Sequence, residues 1–176
     1  MIEQKIKKVV RDIIDFPKEG IVFKDITPIL KDQELCSEII ETFLDRFKHL
    51  EIDAIIGVES RGFLFGMLLA NKMKKPFIPI RKQGKLPYKA VCEQYDLEYG
   101  SAILEIHEDA FAKGSKVLIH DDLLATGGTI NAAAKLVGKL GGEICGFSFL
   151  IGLSFLNGKD ILKRWSPNCI VLAEYE

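Results

Sequence analysis

The spacing of apolar and polar positions changes several times along the chain. Ile6, Val9, Val10, Ile13 and Ile14 recur at helical intervals, which predicts an amphipathic helix over residues 2–16. Pro17, Lys18, Glu19 and Gly20 then form a turn signal that ends on a residue tolerant of positive φ. A compact segment, residues 21–28, follows. A second helix is predicted from about Asp32 to Leu50, with Leu35, Ile39, Ile40, Phe43, Leu44 and Phe47 on one face.

From Asp53 the runs become short and almost wholly apolar. Residues 53–58 read as a strand covered on both faces. Residues 76–80, 116–120, 143–153 and 168–175 are further strand candidates, and helical stretches run to about Lys74 and over about 129–140. Strands alternating with helices predict an α/β fold with a mostly parallel sheet and right-handed crossovers. Residues 81–101 fit neither element; with Gly84, Pro87 and Gly100 they read as a long connection of the functional or mobile kind.

Length and composition narrow the class. The 176 residues suit one domain, and 48 % hydrophobic with 28 % charged residues excludes a disordered or fibrous chain. Lys and Arg number 24 against 25 Asp and Glu, a balance that argues against general nucleic-acid binding but leaves room for a local phosphate site. Cys36, Cys92, Cys145 and Cys169 lie far apart without a C-x-x-C pair, so they read as reduced thiols of a cytoplasmic protein. No run approaches the ~18 apolar residues of a membrane span, and the acid-bearing N-terminal segment does not read as a signal peptide.

Residues 117–129 (VLIHDDLLATGGT) carry the sharpest chemical signal. A buried strand delivers Asp121 and Asp122, and a turn of small and hydroxyl-bearing residues then opens a helix. In open α/β sheets ligands bind at the carboxyl ends of strands, where this turn must lie. Its glycines let backbone N–H groups converge on an anion, and the helix dipole favours negative charge there. The neighbouring carboxylates suit ribose hydroxyls or a hydrated Mg²⁺. Neither G-x-x-x-x-G-K-[ST] nor G-x-G-x-x-G is present, which excludes the common nucleotide loops. Residues 57–62 miss the G-x-S-x-G hydrolase elbow by one position, and His49, His107 and His120 show no metal-ligand spacing, with His120 expected at a strand end.

This stretch resembles the phosphoribosyl diphosphate (PRPP) signature of the type I phosphoribosyltransferases. Residues 23–28 (FKDITP), 59–66 (ESRGFLFG), 81–87 (RKQGKLP) and 95–100 (YDLEYG), with the ending Glu174-Tyr175-Glu176, are similar to the adenine branch of that family, in its order and over nearly the whole chain. The resemblance implies a single phosphoribosyltransferase domain. An N-terminal helix and hood would occupy about 1–33, and an α/β core about 34–176, with a mobile loop at about 82–101. It implies transfer of ribose 5-phosphate from PRPP to N9 of adenine with Mg²⁺ as cofactor.

Residue by residue, the resemblance has Ala125, Thr126, Gly127, Gly128 and Thr129 cradle the 5′-phosphate. Asp121 and Asp122 hold the ribose hydroxyls, and meet the metal directly or only through water and those hydroxyls. Arg61, Arg81, Lys82 and Lys85 meet the diphosphate, and Tyr99 flanks the site. Phe23 stacks on the purine while the main chain of Val22 and Lys24 reads its amino edge. Related oxopurine enzymes carry an acid at the position of Ala125, so the resemblance assigns the proton to Glu98 in the loop. The family further implies a homodimer, paired near the first α/β turn. A PRPP-sensing regulator without catalysis and an oxopurine enzyme are the competing readings.

Overall fold

A computed structural model describes residues 1–96 and 100–176. The chain opens with α1 (Ile2–Val9), followed by an antiparallel hairpin of β1 (Arg11–Ile14) and β2 (Val22–Asp25). Helix α2 (Gln33–Phe47) starts at Asp32, whose carboxylate accepts the Leu35 N–H at 2.9 Å, as an N-cap acid should. Strand β3 (Ala54–Val58) leads through α3 (Gly62–Met73) to β4 (Phe77–Lys82), and the hairpin β5 (Ala90–Asp96) and β6 (Ser101–His107) follows. Strand β7 (Lys116–Leu124), α4 (Gly128–Lys139), β8 (Glu143–Leu153), α5 (Gly158–Leu162) and β9 (Cys169–Tyr175) complete the fold.

The seven-stranded sheet has the order β5-β6-β4-β3-β7-β8-β9, parallel from β4 to β9 and antiparallel at the β6 and β5 edge. The expected α/β architecture is therefore the observed one. Period-two alternation divides the core into two layers. Ile55, Leu118 and Leu150 pack with α2 and α3 on one face, whereas Ile56, Ile119, Phe147 and Phe149 pack with α4 on the other. Because α3 carries the chain from β3 to one side and α4 carries it from β7 to the other, the order of connection reverses between β3 and β7. Their carboxyl ends open a crevice at that point, where α/β sheets bind ligands.

Three expectations need correction. The predicted helix over residues 2–16 ends at Val9, and Arg11–Ile14 is a strand. Ile13 and Ile14 continue the helical spacing, but pairing with Phe23 and Val22 takes them into the hairpin. The irregular connection expected over 81–101 contains strand β5. Its inward positions are Val91, Glu93 and Tyr95, and the acid among them hides the alternation. Glu93 is tolerated because Lys135 and Lys139 of α4 reach it at 2.9 and 2.7 Å.

His120, expected at a strand end, lies inside β7, fully buried. Its Nδ1 is 2.9 Å from Ser148 Oγ, and its ring meets Phe43 edge-on at 5.7 Å. Burial lowers its pKa from 6.5 to about 3, so the folded chain holds it neutral. The unfolded chain binds that proton below about pH 6.5; stability from neutral His120 is full above that pH and is lost toward pH 3. In denaturant titrations wild type should therefore lose stability relative to His120→Leu as pH falls from 6.5 to 5, by up to about 1.4 kcal/mol per unit. A difference independent of pH contradicts a neutral buried imidazole.

Candidate active site

A cavity of about 430 Å³ occupies the crevice at the ends of β3 and β7. Its walls bring together Arg61, Lys82, Asp121, Asp122 and the whole turn from Ala125 to Thr129. The turn is formed by two close backbone approaches. Gly127 has φ +84°, and a Cβ there would lie 2.8 Å from the Gly158 carbonyl. A Cβ on Gly158 would in turn collide with the Ala125 carbonyl. Helix α4 begins at Gly128, so its first N–H groups lack intrahelical acceptors and lie at the cavity wall. Such an N-terminus is suited to an anion.

The twin aspartates belong to β7 itself, which runs four residues beyond the expected end at His120. Asp121 Oδ1 accepts the Asp122 N–H at 2.9 Å. Asp122 is buried, and its Oδ2 lies 3.0 Å from Arg61 Nε, an ion pair without hydrogen-bond alignment. Burial pushes Asp121 well above the usual carboxylate range, and the Asp122 carboxylate beside it pushes further. Burial raises Asp122 as well, with Arg61 opposing. A Cβ on Gly62 would sit 2.9 Å from Asp121 Oδ1, so only glycine lets the start of α3 pass this close to the β7 tip.

Arg61 joins the crevice to the N-terminal hairpin. Its guanidinium lies 4.7 Å from the centre of the Phe23 ring, and its Nη1 donates to the Lys24 carbonyl at 3.2 Å. Phe23 and Lys24 do not themselves line the cavity; they touch Arg61, which does. Arg81 turns back to Glu59 at 3.2 Å and donates to the Lys85 carbonyl at 3.1 Å, and neither Arg81 nor Lys85 lines the cavity. Val22 is exposed in β2 and is likewise not a wall residue. Glu98 and Tyr99 lie outside the described residues.

The cavity also enlists residues of the quoted motifs to which no role had been given. Glu59 accepts the Lys82 N–H at 2.8 Å and pairs with Arg81, and Tyr95 and Leu123 form part of the wall. Glu59 was signalled only as the first residue of the 59–66 stretch that also holds Arg61. Gly158 had no signal beyond an Asn-Gly pair, because its partner is more than thirty residues away.

The donor set can be tested against a divalent cation. Asp121 and Asp122 offer hard oxygens, and Asp122 Oδ2 is buried without a hydrogen-bond partner. Among the described residues no group of three or more His, Cys, Asp or Glu side chains could cage an ion. Such a set fits Mg²⁺, which keeps several waters and shares substrate oxygens, and does not fit an all-protein metal site.

A small-residue turn at a helix N-terminus, twin acids and cations meet at the switch point of a parallel sheet, a combination suited to a phosphorylated ligand. The phosphoribosyl transferase domain model matches residues 25–163. The chain belongs to the phosphoribosyltransferase family, with its type I fold, and is an enzyme of that class. The adenine phosphoribosyltransferase of Cytophaga hutchinsonii is 52 % identical over 175 residues, 99 % of this chain and 97 % of the relative. The crystal structure of the adenine phosphoribosyltransferase from Thermoanaerobacter pseudethanolicus superposes with a TM-score of 0.95 at 46 % identity, covering 99 % of this chain and 100 % of that one. The enzyme of Saccharomyces cerevisiae, solved with an imino-altritol bisphosphate and adenine, gives a TM-score of 0.90 at 38 % identity, covering 97 % and 98 %.

Proposed function

We propose that this chain transfers ribose 5-phosphate from PRPP to N9 of adenine, yielding AMP and diphosphate in purine salvage. The observation that carries adenine is the environment of Arg61. A planar cation lies over Phe23, the surface on which a purine would stack, and donates an N–H to the Lys24 carbonyl. That carbonyl accepts hydrogen bonds. The 6-amino group of adenine would satisfy it, whereas a 6-oxo purine would bring a second acceptor against it. Ala125 agrees, since it offers no acid near the purine N7.

In this reading the turn from Ala125 to Thr129 holds the 5′-phosphate, and Asp121 and Asp122 take the ribose hydroxyls. Arg61 and Lys82 meet the diphosphate from the cavity wall; Arg81, at the end of β4, and Lys85, in the loop that follows, approach it from the side. Asp121 and Asp122 would hold Mg²⁺, directly or through water and ribose hydroxyls, and the ion would supply charge neutralisation for the leaving diphosphate. The main chain of Val22 and Lys24 orients adenine on Phe23. As N9 attacks C1′, Glu98 takes the N9 proton, Tyr99 flanks the site, and closure of their loop keeps water from the reacting carbon. Glu98→Gln should lower kcat by about 10²–10³-fold with little change in the adenine KM. Unchanged turnover would remove Glu98 from the proton step.

The reading extends to assembly and setting. Leu64, Met67 and Leu68 share one face of α3 at 42, 51 and 45 % exposure, an apolar stripe suited to a second copy of the chain. Leu68→Glu should shift the sedimentation mass from a dimer to the 19.7 kDa monomer; a wild type already monomeric sinks this part. Cys36, Cys92, Cys145 and Cys169 are free thiols and no described helix is long and apolar enough to cross a membrane, which supports a reducing cytoplasmic setting.

The deciding experiment compares adenine, hypoxanthine and xanthine with PRPP and Mg²⁺ in one spectrophotometric assay. AMP from adenine alone is expected. Comparable turnover of hypoxanthine would contradict the role of the Lys24 carbonyl.

A further inference from the structure

The hood hairpin is a two-stranded ribbon, which is marginal without outside support. Strand β1 exposes three of its four residues, so burial contributes little to its placement. One fixed point is Arg61 on Phe23. The other is the last strand. Lys24 Nζ lies 4.1 Å from the centre of the Tyr175 ring, and Lys7 Nζ approaches the same ring at 5.3 Å. Lys24 also donates to both Asp12 oxygens at 2.8 Å, with its side chain only 12 % exposed.

The platform under Lys24 is itself fixed. Glu174, the preceding residue, ion-pairs with Lys159, accepts the Ser154 hydroxyl at 2.6 Å, and donates its N–H to Glu3 of α1 at 3.3 Å. A largely desolvated ammonium is costly to move from its partners, and a ring face strengthens its hold where water is scarce. The residue gripped in this way is the one whose carbonyl accepts from Arg61, a wall residue of the crevice.

We propose that Tyr175 is a positioning residue for the purine subsite: its ring holds the Lys24 side chain, and thereby sets the Lys24 carbonyl that reads the purine. This rests on the adenine reading of the hood. The turn from Ala125 to Thr129 belongs to other elements, and Arg61 keeps its pairing with Asp122 whichever way the Lys24 carbonyl is set, so the effect falls chiefly on the purine. The Tyr175 hydroxyl is buried and finds no hydrogen-bond partner among the described residues, so the ring and not the hydroxyl carries the role.

Steady-state kinetics with adenine and PRPP varied separately test this. Tyr175→Phe, which keeps the ring, should leave both KM values within about twofold of wild type. Tyr175→Leu, which keeps bulk and loses the ring face, should raise the adenine KM about tenfold and leave the PRPP KM within about twofold. Lys24→Met keeps the stem, removes the cation, and should reproduce the adenine-only rise; it reads the same contact if Tyr175→Leu does not fold. Adding Tyr175→Leu to Lys24→Met should cost nothing more. Equal losses for both substrates, or an unchanged adenine KM in Tyr175→Leu or Lys24→Met, would overturn the positioning role. A wild type that does not use adenine would overturn the adenine reading itself.

Discussion

Asp121→Asn is expected to make the unliganded protein more stable and nearly useless. The carboxylate is held beside Asp122, and burial with that like charge raises its pKa well above the ordinary range. An acid whose pKa is higher folded than unfolded binds more protons in the native state. Its contribution to stability therefore falls as pH rises through the window from the unfolded value of 3.8 toward the raised native one. Above that window the buried acid opposes folding, chiefly through its desolvation and then through the like charge of Asp122, and the amide removes that cost. The melting temperature should rise by about 2–4 °C for each kcal/mol relieved. The PRPP KM should rise by about ten- to hundredfold, because an amide loses the charge-assisted bonds to the ribose hydroxyls. The sign is opposite to that at His120, so the two substitutions tilt the stability–pH curve in opposite directions. A variant both less stable and fully active would contradict a strained sugar-binding pair.

Gly158→Ala carries the second large effect, although Gly158 touches no substrate in the proposed mechanism. A Cβ there would collide with the Ala125 carbonyl and come within 3.1 Å of the Gly127 nitrogen and Leu124 Cδ1. Two of these three neighbours are backbone atoms of the phosphate turn, so the turn must shift as a unit. Gly127 cannot absorb the movement freely, since its own φ of +84° packs it against the Gly158 carbonyl. Displacing a cradle by about an ångström costs about 10²-fold in kcat/KM for PRPP, and overpacking costs about 1–3 kcal/mol of stability. The control is Gly20→Ala: its φ is +83°, with no atom within 4 Å of a Cβ. It carries a backbone strain that Gly158, whose φ is not left-handed, does not, but makes no contact, and should keep the PRPP parameters of wild type. Equal activity losses at both positions would show that the contact is unimportant.

The legible parts of this molecule were those with local signals. The apolar runs of β3, β7 and β8 and the one-faced spacing of α2 each report their burial directly. The turn after Asp122 could be recognised because its chemistry is contiguous in the chain. Features set by distant partners were not legible. Ile13 and Ile14 fit a helix until Val22 and Phe23 pair with them, and Glu93 breaks the β5 alternation because its lysines come from α4. The glycine contact between 127 and 158 and the cation over Phe23 exist only once the elements are assembled. Likewise His120, polar by type, becomes a core residue through Ser148 and Phe43.

Calorimetric titration of PRPP with Mg²⁺ into the folded chain, without any purine, is the most direct measurement. Saturable heat at one site per chain is predicted, weakened at least tenfold by Gly158→Ala and by Asp121→Asn. A well-folded wild type that gives no binding heat over a range of temperatures would contradict the assignment of the strand tip and its turn to an activated ribose phosphate.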